Sequence, residues 1–437
     1  MSVTQQISDF VTKTQIGEIP ARHIAKLSLL DWAAVTVAGK NEPLTKIVRE
    51  LAAEECGAKQ AYAVGIETFI PARMAALVNG TTSHVLDYDD THFAYVGHPS
   101  VAVFPAVLAI ADKIGSDINS TIDAALIGLE TATRVGIWLG RLHYRRGFHI
   151  TATAGTFGAA AGCAKLLGLT EDQTHMALSL AASKASGIKE QFGTMGKPFH
   201  AGMAASSGVE TCLLAQKGFV AGINAFDGVQ GFGVTHASEE NAEAFQNLGS
   251  KWIFEDVSHK FHACCHGTHA MLEALELITG ESSFDLSHVQ SIEVKTHPQY
   301  LNVCNIQSPV SGLEAKFSYR LLAALGLSDI DTASPNSFTD DICKAPELVA
   351  LRDITHVVTD ESLSESRAIV KVTLAGGNKL EASYDLLDLK TPKERETKVR
   401  AKARSLLGGE KEKELWNTIN HDKRVDSKYS VTQALLA

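Results

Sequence analysis

From Pro20 to about Gly249, apolar residues recur at the three-to-four-residue spacing of one helix face. Ile24, Leu27, Leu30 and Trp32 make the apolar side of a helix that starts at Pro20 and stops at Gly39. Pro43 to Cys56 repeats the pattern and closes on Gly57. Further helices are predicted over Pro71 to Gly80, Ser100 to Ile114, Ile118 to Gly140 and Thr151 to Leu167. Gly155, Gly158 and Gly162 in the last of these fall at helix-packing spacing and lack the GxGxxG of a dinucleotide fold, so close helix packing is expected. Thr170 with Gln173 makes a capping box for a helix running to Ala182. Strand signals are nearly absent here, which predicts an all-helical domain.

The pattern changes after Trp252. Val289 to Thr296 alternates apolar and polar residues, as does Arg367 to Leu374. Gly376-Gly377-Asn378 then turns the second of these into Lys379 to Tyr384, a hairpin signal. Helices are predicted at His269 to Thr279 and Leu313 to Leu325, and the chain is helical again from Pro392, with a charged amphipathic segment from Lys393 to Leu407. The expected fold is mainly α: a large all-helical domain (1–258 and 391–437) and a smaller α+β domain (259–390) inserted before a C-terminal helical return. Two domains are natural for 437 residues, a length beyond which one core usually stops growing. The Lys/Glu-rich run over 393–414 is read as a solvated helix face.

Composition narrows the function classes. A formal charge of −10 argues against a general affinity for nucleic acid or anionic membrane, and leaves room for a small anionic substrate drawn by the local field of a cleft. Met1 to Pro20 has no basic region followed by an apolar core, so no signal peptide is read. The longest apolar run, Val101 to Ala111, is too short to span a bilayer. Seven cysteines, odd in number and without CxxC spacing, fit reduced thiols in a cytoplasmic protein.

The densest candidate chemistry lies from His84 to Ser100, where Asp87, Asp89 and Asp90 mix with His84, His92 and His98 between two apolar segments. Such a run is either a solvated loop that caps helices or a site, because titratable groups next to a core are costly to hold. EF-hand spacing is missing from it. Gly193-Thr194-Met195-Gly196-Lys197-Pro198 lacks the spacing and the Ser/Thr of a phosphate loop; Lys197, held in a loop by Gly and Pro, suits a substrate carboxylate instead. His262-Ala263-Cys264-Cys265-His266-Gly267-Thr268-His269 has zinc-ligand residue types without a second Cys/His pair at the required offset. It reads as a turn opening a helix, with His269 near the helix start and Lys260 behind it, where an anionic group is favoured. His98, His149, Lys197 and His269, with Asp87 and Thr91, together suit a substrate with several carboxylates. Cations hold the carboxylates, and a histidine moves a proton at the carbon between them.

Four segments in this order and spacing resemble the MmgE/PrpD superfamily. They are Asp87 to Thr91 with His98-Pro99-Ser100, Gly147-Phe148-His149, Gly193 to Pro198 with His200-Ala201-Gly202, and Glu314-Ala315-Lys316-Phe317-Ser318. The superfamily includes 2-methylcitrate dehydratase, cis-aconitate decarboxylase and iminodisuccinate epimerase. The resemblance implies a homodimer without cofactor or metal, each subunit having a large helical domain and a smaller α+β lid with the site between them. Asp87, Thr91, His98, His149 and Lys197 would line that site from the helical domain, and Lys260 and His269 would come from the lid. A tyrosine of the decarboxylase branch falls at Leu321 here; Tyr319 sits two residues earlier, about 200° away on a helix.

The function expected from these readings is a cofactor-independent lyase, a dehydratase or decarboxylase of a small di- or tricarboxylic acid. His98 and His149 transfer protons, aided by Asp87 and Thr91, and Lys197, His269 and Lys260 bind substrate. The alternatives are an epimerase of a dicarboxylate such as iminodisuccinate, a non-catalytic carboxylate-binding protein, and a zinc-dependent hydrolase.

Overall fold

The structure, a computed structural model, describes residues 1–55, 57–388, 391–420 and 430–437. Cys56 and Lys390, where the sequence pattern ends a helix and the α+β portion, lie outside the described residues, as does the stretch 421–429 of the helical return. The chain is mainly α with a small α+β portion. Its contacts divide it into two compact units, Met1–His259 with Leu407–Ala437, and Lys260–Leu406.

Among its described residues, the first unit contains nine principal helices: α1 (Val3–Lys13), α2 (Pro20–Ala38), α3 (Pro43–Glu55), α4 (Ala72–His84), α5 (Ser100–Ile114), α6 (Ile118–Arg145), α7 (Ile150–Leu167), α8 (Glu171–Ala181) and α9 (Gly196–Gln216). Helices Gly409–Asn420 and Val431–Leu436 pack against α2 and α5 in the same unit. Most starts and stops follow the expected chemistry. Pro20 opens α2, and Thr170 and Gln173 form the full capping box of α8. Gly115 and Gly168 close α5 and α7 in the left-handed conformation.

Three elements depart from the sequence pattern. α4 continues past Gly80 to His84, because Gly80 lies against the backbone of Gly202 and carries the helix through a close crossing with α9. α6 runs on to Arg145, interrupted at Gly140 by non-helical backbone. Lys197 stands in the first turn of α9 and not in a loop; Pro198 there needs no N–H, since the first turn has no partner for one.

The glycines of α7 let three helices meet at backbone distance. A Cβ on Gly158 would sit 2.6 Å from the Gly128 carbonyl of α6, and one on Gly128 would sit 2.6 Å from the Gly158 carbonyl. Gly155 and Gly162 face Ala102 and Val107 of α5 in the same way. α7 is buried along almost its whole length. It forms the axis of the unit.

The second unit has a four-stranded sheet of order β2-β1-β3-β4: β1 (Val289–Thr296), β2 (Thr355–Thr359), β3 (Arg367–Leu374) and β4 (Lys379–Asp385). β1 pairs parallel to β2 and antiparallel to β3, and the β3–β4 hairpin turns at Gly376-Gly377. Helix His269–Thr279 packs on β3 and β4. The single helix expected over Leu313 to Leu325 is two, Gly312–Ala315 and Tyr319–Leu327, because Ser318 caps the second. Helix Pro392–Leu407 lies with this unit, its Lys398 ammonium 2.5 Å from Glu273 and 3.0 Å from Glu276, so the return to the first unit falls at Leu407. The 393–414 run is broken at Gly408 into two helices, each with one buried side. Among the described residues no helix is long and apolar enough to cross a membrane.

Candidate functional site

The segment from α4 to α5 folds back on itself around buried polar groups. The Ser100 hydroxyl donates to Asp90 Oδ2 at 2.6 Å, which ties the middle of the segment to the start of α5. A tight turn follows: the His92 N–H donates to the Gly97 carbonyl and the Val96 N–H to the His92 carbonyl. Tyr95, fully buried, sends its hydroxyl to the Ile150 and Thr151 carbonyls at the head of α7. The His98 N–H donates to Thr151 Oγ1 at 3.1 Å. These links bring His98 to the end of α7 that carries His149.

His149 is the N-cap residue of α7. Its N–H donates to the Gly187 carbonyl, and Lys189 donates to Gly147, so a short extended pairing holds the residue from both sides. His149 Nδ1 lies 3.1 Å from His200 Nδ1 of α9. Burial first, then His84, Lys197, His98 and His200, hold the His149 imidazole well below its usual range. At neutral pH it is an uncharged base.

At the centre of the cluster is a buried carboxylate. Asp89 Oδ1 accepts from His84 Nδ1 at 2.8 Å, and Asp89 Oδ2 lies 2.8 Å from His98 Nδ1. Burial alone would raise the Asp89 carboxyl; the two imidazoles overcome it and hold the group well below the carboxylate range. His98 Nε2 is 3.6 Å from Asp87 Oδ1, so Asp89 is the nearer carboxylate. Lys197 Nζ sits 2.8 Å from Asp87 Oδ1, and Asp87, with φ of +50°, is held in the strained left-handed region. Strain of that kind collects where a segment is held for binding or catalysis.

His84, Asp87, Asp89 and His98 offer four potential metal-ligand atoms within 4.8 Å of one another, the one such group among the described residues. His84 Nε2 has no hydrogen-bond partner among the described residues, but its Nδ1 and the Asp87 carboxylate are already committed. Each Asp89 oxygen faces an imidazole Nδ1, and an ammonium stands at Asp87. Protons and a lysine fit these atoms better than a divalent cation.

Of the first-unit candidates, the structure brings His98, His149, Lys197 and Asp87 into one cluster. Thr91 sits beside it in a two-residue bridge with Ser258. His84, Asp89 and His200, which the sequence reading gave no site role, join the same cluster. The first two lay inside the dense stretch; His200 follows Lys197 by one helical turn and is legible once 196–216 is taken as helix.

In the second unit, His269 opens helix His269–Thr279, fully buried between the rings of His262 and His266. Its Nε2 lies 3.2 Å from the Cys264 carbonyl, and burial, then His266, His262 and Lys260, hold it well below the usual range. Lys260 is buried as well. Tyr319 donates its hydroxyl to the Gly267 carbonyl at 2.6 Å and meets Thr296 at 3.0 Å, so this phenol supports the turn before His269. Leu321 is buried in the core.

Behind the cluster, burial and then the nearby Asp31 push the Asp90 carboxyl up to about 7, against the Ser100 bond. A carboxyl raised above its unfolded value adds stability below that value and loses it as pH rises to the folded one. The stability lost between pH 4 and 7 is on the order of a few kcal/mol. Asp90→Asn removes this term. The melting temperature of Asp90→Asn relative to wild type is therefore expected to climb from pH 4 to 7 and then level; a difference flat across that range contradicts the assignment.

The chain matches the MmgE/PrpD N-terminal domain over residues 5–244 and the MmgE/PrpD C-terminal domain over 262–421. It is 30% identical to the cis-aconitate decarboxylase-like protein oryM of Aspergillus oryzae, over 63% of this chain and 61% of that protein. It is 29% identical to cis-aconitate decarboxylase of Homo sapiens, over 60% of this chain and 56% of that one. A mitochondrial 2-methylcitrate dehydratase of Yarrowia lipolytica is 24% identical over 83% of this chain and 73% of its own length. The chain thus spans about three fifths of the first two relatives.

Proposed function

The chain belongs to the MmgE/PrpD family, and from that premise we propose that it is a cofactor-independent lyase of a small di- or tricarboxylic acid, removing water or carbon dioxide by proton transfer. The observation that carries the reading is the pairing of two imidazoles of unlike character beside a lysine. His149 is kept neutral and suited to take a proton from carbon. His98, with a carboxylate at Nδ1, is suited to hold one. Lys197 lies where it can exchange Asp87 for a substrate carboxylate, and Asp87 and Thr91 shape the rim of the same cluster. In the second unit, Lys260 and His269 are the groups proposed to hold an anion. Relatives named as decarboxylases and a dehydratase support a lyase.

Epimerisation of a dicarboxylate is the second reading, favoured by Leu321: the residue is apolar and buried, and the nearby Tyr319 hydroxyl is spent on Gly267 and Thr296. As further parts of the proposal, the protein acts in the cytoplasm as a homodimer. Light scattering is expected to give twice the chain mass.

The test is a substrate screen of citrate, methylcitrate, the aconitate isomers and iminodisuccinate, followed by ultraviolet absorbance of the conjugated acid and by carbon dioxide release. Turnover of at least one acid is expected. Silence across the panel, with no binding of any acid, overturns the reading.

A further inference from the structure

Asp89 exposes nothing to solvent, and its neighbours explain how a charge survives there. An ionised carboxylate in a core costs several kcal/mol unless both oxygens are matched. Here Oδ1 hydrogen-bonds to His84 Nδ1 at 2.8 Å, and Oδ2 lies at an ion-pair distance of 2.8 Å from His98 Nδ1. The two imidazoles differ in position. His84 is fully buried, whereas the His98 side chain keeps 12% of its surface open and turns Nε2 towards Asp87. His84 also touches both proton-transfer candidates: its ring stands edge-on to His98 at 4.6 Å and parallel to His149 at 6.0 Å. Its Nε2 is buried with no hydrogen-bond partner among the described residues. Such an uncompensated group persists where the arrangement it belongs to is used.

We infer that Asp89 and His84 are a positioning pair: Asp89 keeps one ring proton of His98 on Nδ1, so that Nε2 is the nitrogen through which the working proton passes, and His84 anchors the other oxygen of that carboxylate. The inference rests on the reading of His98 as a proton-transfer group. Neither residue of the pair touches substrate. They act through His98, as a buried aspartate fixes the tautomer of a catalytic histidine in hydrolytic triads.

The titratable groups near His98 are His84 from α4, Asp87 and Asp89 from its own segment and His149 from the head of α7; Lys197 and His200 of α9 stand one contact further out, on Asp87 and His149. Asp89→Asn changes one of them and keeps its shape. In that variant kcat is expected to fall about 10²-fold or more with KM little changed. The acid limb of kcat/KM should move to lower pH, because a carboxylate beside an imidazole favours its charged form. His84→Asn, which leaves the carboxylate in place, should give a smaller loss in the same direction.

Nitrogen-15 NMR of the imidazole rings reads the tautomer directly, without substrate. In the wild-type chain His98 is expected to carry its proton on Nδ1, and in Asp89→Asn that preference should be lost. A wild-type His98 protonated on Nε2 overturns the inference even if no variant folds. An Asp89→Asn enzyme with wild-type kcat and pH profile also overturns it, while leaving the lyase reading intact. If no acid is turned over, the lyase reading falls and the tautomer still decides the pair.

Discussion

Replacing His98 by glutamine is expected to lower kcat by about 10²–10⁴-fold, the usual range for loss of a general acid–base group. Glutamine keeps a polar group of similar reach and cannot take up a proton. The fold should hold, because His98 is fixed by its own backbone N–H on Thr151 Oγ1, a bond the substitution leaves alone. The effect should fall on kcat, since the proposed carboxylate holder, Lys197, is unchanged. Steady-state kinetics beside a circular dichroism melt separate the two: unchanged kcat removes His98 from the chemistry, and a collapsed melt would mean that the ring also supports the fold through Asp89.

Gly158→Val is expected to unfold the first unit. Its first added carbon would stand 2.6 Å from both the Gly128 carbonyl and the Ala132 methyl of α6, and 3.1 Å from Val103 of α5. Backbone cannot swing aside as a side-chain tip can, and overpacking of a tight core costs about 1–3 kcal/mol and at times more. Gly158→Ala recovers about 1 kcal/mol of helix propensity, so the milder variant should survive with a lowered melting temperature. The helix that would be displaced is the one whose first turn carries His149 and Thr151, so surviving Gly158→Ala protein should also lose activity. A Gly158→Val chain melting with wild type contradicts the account of α7 as the axis.

Where local chemistry decides structure, the sequence is legible. Pro20, the Thr170–Gln173 box and the alternation at Val289 to Thr296 each act within a few residues, and each element formed where its signal lies. The helix-packing role of Gly155, Gly158 and Gly162 was legible for the same reason: small residues on one face need a close neighbour, whichever helix supplies it. Elements that depend on distant partners were not legible. Thr355–Thr359 is too short to alternate clearly, with one fully buried position, and becomes a strand because β1 offers it a parallel edge. Gly80 reads as a stop until α9 is placed against it.

The candidate site divides along the same line. Residue types and order pointed to His98, His149, Lys197 and Asp87, and the structure clusters those four. Which carboxylate serves His98 depends on how the segment closes over Asp90 and Tyr95, a tertiary outcome that favours Asp89 over the strained and exposed Asp87. His200 was hidden because Pro198 suggested a loop, although proline is well tolerated in a first helical turn.

Dehydration, decarboxylation and epimerisation share proton transfer at carbon: a proton is taken from a carbon beside a carboxylate in dehydration and epimerisation, and delivered to the carbon that has lost carbon dioxide in decarboxylation. Proton NMR of the wild-type enzyme with the acid panel in deuterium oxide observes that event. At least one di- or tricarboxylic acid is expected to gain deuterium at such a carbon, and His98→Gln to slow the exchange at least about 10²-fold. Loss of water or carbon dioxide marks a lyase, and exchange at a stereocentre with neither marks an epimerase. No exchange in any acid, or exchange as fast in His98→Gln as in wild type, contradicts proton transfer through His98.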